Sequence, residues 1–202
     1  MKSTLLILTA AALVTSGSTF AQTSQPAADK KPATVNQRRE NQQDRIANGV
    51  QSGQLTAGET KRLEGREANL NREIRTDRTA DGGRLTAQQR AQVNRQQNRL
   101  NRSIYADKHN AAQAQFGKNE VGQRRENQQD RIAQGIRSGQ MTAGEASRTE
   151  NREQGINRQI RADRAANGGR LTRQERRQIN RQQNGASRHI YRQKHNRARQ
   201  PK

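Results

Sequence analysis

The sequence predicts an all-α fold made of two tandem three-helix units, helical hairpins joined by degenerate EF-hand-like turns. Two observations predict it. A turn of the form Gly-x-(Leu/Met)-Thr-x-x-(Glu/Gln) occurs at Gly53–Glu59, Gly83–Gln89, Gly139–Glu145 and Gly169–Glu175. The stretch 35–110 also returns without a gap as 121–196, with about 50 of the 76 paired positions identical, which marks an internal duplication. Each turn reads as a helix start. The Thr hydroxyl can accept from an orphan backbone N–H, and the Glu or Gln three residues on can reach back.

In chain order, residues 1–21 read as a secretory signal peptide. Lys2 supplies the positive end, Leu5 to Val14 the apolar core and Thr19-Phe20-Ala21 the cleavage site. That apolar run is too short to span a bilayer, which takes about 20 residues. The expectation is cleavage after Ala21 and a periplasmic or secreted protein. Residues 22–34, with Pro26 and Pro32, read as a flexible lead-in.

Unit 1 (35–110) then predicts helices over 36–50, 57–79 and 87–108. Unit 2 (121–196) predicts them over 122–136, 143–165 and 173–194. Residues 111–120 link the units and 197–202 form a basic tail. Gly82-Gly83 and Gly168-Gly169 suit helix ends, because Gly accepts the left-handed conformation there.

Apolar residues recur in steps of seven and four, a helical spacing with a narrow stripe. Unit 1 offers Ile46, Val50, Leu55, Leu63, Leu70, Ile74, Leu85, Val93, Leu100, Ile104 and Tyr105 as its core. With 28% hydrophobic residues, 2% aromatic and a net charge of +21, the chain sits near the disorder boundary. Thin cores are expected, firmed by a partner or by self-association. There is no Cys, so neither disulfides nor thiolate chemistry are available.

No Gly-x-Ser-x-Gly or other nucleophile motif appears, and the reading is non-enzymatic, with no cofactor and no small-molecule substrate. Glu59, Glu64, Glu67, Glu73 and Asp77 lie among arginines, so exposed structural ion pairing is their expected role. The first turn has an EF-hand outline, with Asn48, Val50, Ser52, Gly53, Leu55 and Glu59 at loop positions one, three, five, six, eight and twelve. Val50 cannot ligate calcium at the third position, and Gln134 and Ile136 occupy the first and third in unit 2. His109 and His195, each in Lys-His-Asn, lack the clustered partners of a metal site and read as surface residues at helix ends.

Positive charge is the strongest signal. Unit 1 holds 15 basic against 9 acidic residues, and unit 2 holds 17 against 7. In the last helix Arg173, Arg177, Arg181, Arg188 and Arg192 fall within an arc of about 100°, with Tyr191 at its edge and Ile179, Ala186 and Ile190 roughly opposite. Unit 1 keeps only Arg95 and Arg102 on that arc. The planar guanidinium pairs well with phosphate, so these residues are the candidate anion-binding set.

Leu85-Thr86-Ala87-Gln88-Gln89, followed by an Arg/Gln-rich helix, resembles the Leu-Thr-x-x-Gln signature of periplasmic stress-response chaperones. Leu171-Thr172-Arg173-Gln174-Glu175 differs from it by one residue. The resemblance implies an exported, basic, all-helical protein that holds unfolded or aggregation-prone clients. More broadly the tandem unit is similar to exported bacterial proteins rich in Gln, Asn and Arg. Two functions are therefore expected to compete: chaperone-like client binding, and binding of polyanions such as a phosphorylated lipid surface, an acidic glycan or released nucleic acid.

Overall fold

A computed structural model describes residues 33–201. The expected signal peptide, and the expected lead-in up to Pro32, lie outside the described residues. Those described are helical, in the order α1 (Val35–Gln51), α2 (Ala57–Ala80), α3 (Ala87–Lys108), α4 (Glu120–Arg137), α5 (Ala143–Ala166) and α6 (Arg173–His195). Among them there is no strand. Among the described residues no helix is long and apolar enough to cross a membrane.

The expected helix starts are in place because their cause is local. Thr56, Thr86, Thr142 and Thr172 each accept from the backbone N–H three residues on, and the side chain there returns the bond. A fifth box, Thr34 with Gln37, opens α1 inside the stretch expected to be flexible. Its Thr-x-x-Gln signature was present in the sequence. α4 starts on Asn119, whose side chain accepts from the Gly122 N–H. The turns after α2 and α5 need left-handed backbone, with φ of 88° at Gly83 and 87° at Gly169.

Within each copy the three helices touch one another. The copies also pack together, α2 on α5 and α1 on α4, so the chain from Ala33 onward forms one compact unit. Both pairs join repeat-equivalent helices, and both run antiparallel. A Cβ added at Gly58 would meet Gln154, and one at Gly65 would meet Ser147. Lys61 donates to Asn151 at 2.8 Å, and Ser147 Oγ donates to the Lys61 carbonyl at 3.0 Å. Reciprocal pairing of equivalent elements is the geometry of a two-fold dimer interface, here folded into one chain.

The apolar core is four small clusters, and the copies trade one residue across the axis. Ala133 packs among Ile46, Val50, Leu55, Leu63, Leu100 and Ile104. Ala47 packs among Ile132, Ile136, Met141, Ala146 and Ile190. All the expected core residues of unit 1 are buried except Tyr105, which is 61% exposed. Ile104 takes the inward position, and the 100° step of the helix carries its neighbour outward.

Glutamine fills much of the remaining interior. Gln42 donates to the Gln97 carbonyl at 2.8 Å, and Gln97 in turn to the Val35 carbonyl at 2.9 Å. Gln128 and Gln183 repeat this at 2.7 and 3.0 Å. Segments after α3 and α6 strap back over the first turn of their own copy. Ala114 N–H donates to the Gly53 carbonyl at 2.8 Å, and Gln200 N–H to that of Gly139 at 3.0 Å. The linker is thus bonded in place at Ala114, and Phe116 in it carries the Arg125 guanidinium 5.4 Å above its ring.

Candidate functional site

α6 displays its arginines because its other side is committed. Ile179, Gln183, Ala186 and Ile190 are the buried residues of this helix. Arg173, Arg177, Arg181, Arg188, Tyr191 and Arg192 are exposed. From Arg173 to Arg192 the stripe runs about 28 Å at 1.5 Å per residue. Its guanidinium groups make no hydrogen bond or salt bridge among the described residues, and the same holds for the exposed Arg95 and Arg102 on α3. The structure therefore gathers five of the candidates on one face of α6 and sets Arg95 and Arg102 on the equivalent face of α3.

Sequence reading missed two further arginines in unit 1. A cleft of about 600 Å³ between α2 and α3 is lined by Arg66, Asn69, Leu70, Gln92, Arg95, Gln96, Arg99 and Leu100. It brings Arg66 and Arg99 beside Arg95. Arg66 donates to Ser103 Oγ at 2.6 Å, which steadies it at the mouth. The step of four from Arg95 to Arg99 was visible in the sequence. The approach of α2 was not.

The larger correction concerns the carboxylates. Glu64 and Glu67 do not lie on an exposed, ion-paired face; they are fully buried, as are their counterparts Glu150 and Glu153. Glu59 and Glu145 are buried too, so among the described residues six acidic side chains lie inside against a single base, Arg39. Among the described residues only Glu67 of these six has an ion pair, at 3.7 Å from Arg39. Gln43 donates to Glu64 at 3.3 Å and Gln129 to Glu150 at 3.1 Å. Glu73, half-buried, accepts from Gln92 and Gln96 rather than from arginine.

Burial disfavours the charged form of these carboxyls. It pushes Glu64 up to about 8, helped by the neighbouring Glu67. Glu67 rises to about 7 for the same reason, restrained by Arg39. Glu153 rises to about 7, restrained by Arg125, and Glu150 is raised well above the usual range by burial and by Glu153. The surface consequently carries more positive charge than the composition alone implies.

The EF-like turn has another occupation. Glu59 Oε2 accepts from the Thr56 N–H at 2.9 Å and from its hydroxyl at 2.7 Å, while Oε1 accepts from Asn110 at 2.7 Å. Glu145 does the same for Thr142 and Asn196. Both oxygens of the twelfth loop residue thus tie the helix start to the end of the copy. His109 and His195 are exposed at the ends of α3 and α6.

Protein-family models, characterised proteins and solved structures offer no match to this chain. The functional reading therefore rests on the geometry above.

Proposed function

We propose that this chain binds polyanions outside the cytoplasm through the arginine faces of α6 and α3, without catalysing a reaction. One observation carries the reading: acid is drawn inside while base is left outside, with unengaged guanidinium groups aligned along one helix. Such a surface attracts polymers of negative charge and holds phosphate or sulfate by forked hydrogen bonds. Chaperone-like holding of unfolded clients, the competing expectation, calls for exposed apolar surface. Among the described residues only Tyr105 and Tyr191 are large hydrophobics on the outside, so the surface favours anions over clients.

The test is binding of the signal-free chain to heparin and to inorganic polyphosphate over a salt series. Affinity should fall steeply as salt rises, because each neutralised charge releases counterions. Replacing Arg173, Arg177, Arg181, Arg188 and Arg192 together by Gln should weaken binding at least tenfold and flatten the salt slope, since each lost contact removes about one counterion from it. Unchanged affinity in that variant would show that α6 is the wrong face.

A further inference from the structure

This chain is short of residues to bury, yet both of its tyrosines stand outside. Tyr105 is 61% exposed and Tyr191 57%, at equivalent places near the ends of α3 and α6. There is no tryptophan. Each tyrosine lies against the histidine one turn further on. Tyr105 stacks on His109 with ring centroids 4.1 Å apart and 25° between planes. Tyr191 stacks on His195 at 4.1 Å and 21°.

The imidazoles are held in that position. Nδ1 of His109 lies 2.7 Å from the Tyr105 carbonyl oxygen, and Nδ1 of His195 lies 2.7 Å from that of Tyr191. A carbonyl can only accept, so Nδ1 carries the proton and donates. The result, twice over, is a pair of near-parallel rings fixed to a helix end. With each tyrosine more than half exposed, ring surface remains open to a further flat group.

Arginines lead up to each stack. Arg95, Arg99 and Arg102 precede Tyr105 at helical spacing, and Arg181 and Arg188 precede Tyr191, with Arg192 beside it. All six are exposed. Arg102 and Arg188 sit one turn before their tyrosines, about 4.5 Å along the axis. A polyphosphate chain could use the arginines but has no flat ring to lay on tyrosine. A duplex hides its base faces in its own stack. A single strand offers phosphates and open base faces together, and aromatic stacking on bases is tolerant of sequence.

We propose that the two Tyr–His stacks are base-stacking platforms for single-stranded nucleic acid, with the neighbouring arginines taking its phosphates. This rests on the polyanion reading and narrows the class of ligand. The duplication gives each chain two platforms, one per copy.

The experiment measures affinity of the signal-free chain for a fluorescein-labelled oligothymidylate by anisotropy, and for inorganic polyphosphate by competition. The variants are Tyr105→Ala/Tyr191→Ala and Tyr105→Phe/Tyr191→Phe, with circular dichroism confirming equal helicity. The alanine pair should bind oligothymidylate roughly tenfold more weakly, from the known worth of one base–aromatic stack. Its loss on polyphosphate should be at least several-fold smaller than its loss on oligothymidylate, and the phenylalanine pair should bind oligothymidylate like the parent. Equal affinity of the alanine pair and the parent for oligothymidylate overturns the platforms while leaving polyanion binding intact. Equal loss on both ligands also overturns them. Failure of the parent to bind either polymer sinks the polyanion reading itself.

Discussion

At the scale of single residues, duplication provides its own controls. Gly49 in α1 and Gly135 in α4 hold equivalent positions, each under the chain that leaves its helix. A Cβ built on Gly49 would lie 2.7 Å from the Leu55 side chain, and one on Gly135 2.7 Å from Met141 Sδ. Both neighbours are fully buried. Leu55 is branched at the contact, whereas Met141 is unbranched and can re-pack around an added methyl. Alanine in place of glycine also gains about 1 kcal/mol of helix propensity. The two substitutions should therefore part company: Gly135→Ala near neutral or slightly stabilising, Gly49→Ala destabilising by about 1–2 kcal/mol from overpacking. Urea unfolding of the two variants checks this, and equal effects would show that the thioether does not yield.

At the scale of helices, most of the fold was legible because capping is a short-range matter. Each threonine names its own helix start, and all six helix bounds fall within two residues of the sequence expectation. Three things were not legible for one shared reason: they depend on what lies opposite. Glu64 and Glu67 have the composition of a solvated face until α5 is laid against α2. Tyr105 passes for core until Ile104 is seen to face inward. Arg66 joins the α3 arginines only when α2 approaches. The caps differ in the same way. Glu145 is buried and binds Asn196 as well as Thr142, so the start of α5 is tied to the end of α6. Thr172, at the start of α6, is exposed, and its partner Glu175, beyond the local cap bonds, accepts from Asn167 eight residues back in the same turn rather than from a distant segment. Thr142→Ala should cost about 2 kcal/mol, the upper end for a cap, and Thr172→Ala about 0.5–1 kcal/mol. Comparing midpoints of denaturant unfolding decides it, and the reverse order would mean that the strap to Asn196 adds nothing.

At the scale of the whole molecule, the two copies meet over acid. Glu64 and Glu67 on α2 come together with Glu150 and Glu153 on α5, and Glu64 is close enough to Glu150 to raise it. Arg39 on α1 and Arg125 on α4 are the cations that face this group, and Gln43 and Gln129 are its donors. Buried carboxyl oxygens of all four glutamates lack a hydrogen-bond partner among the described residues. In the unfolded chain a glutamate loses its proton near pH 4.3. In the folded chain Glu64 keeps it to about 8, and Glu67 and Glu153 to about 7. Between those limits these carboxyls bind more protons in the folded state, so their contribution to stability is full below about pH 4.3 and is lost as pH rises to about 8. Each titrating carboxyl contributes up to about 1.4 kcal/mol per pH unit, and a kcal/mol moves the midpoint of a chain this size by about 2–4 °C. The melting temperature should thus fall by several degrees per unit between pH 5 and 8. Glu64→Gln/Glu150→Gln removes the two carboxyls that glutamine already serves as donor, so it should flatten the profile and raise the midpoint above the parent's at pH 8. If the parent melts at one temperature across that range, the acid is not held where the copies join, and the excess of base outside loses its structural cause.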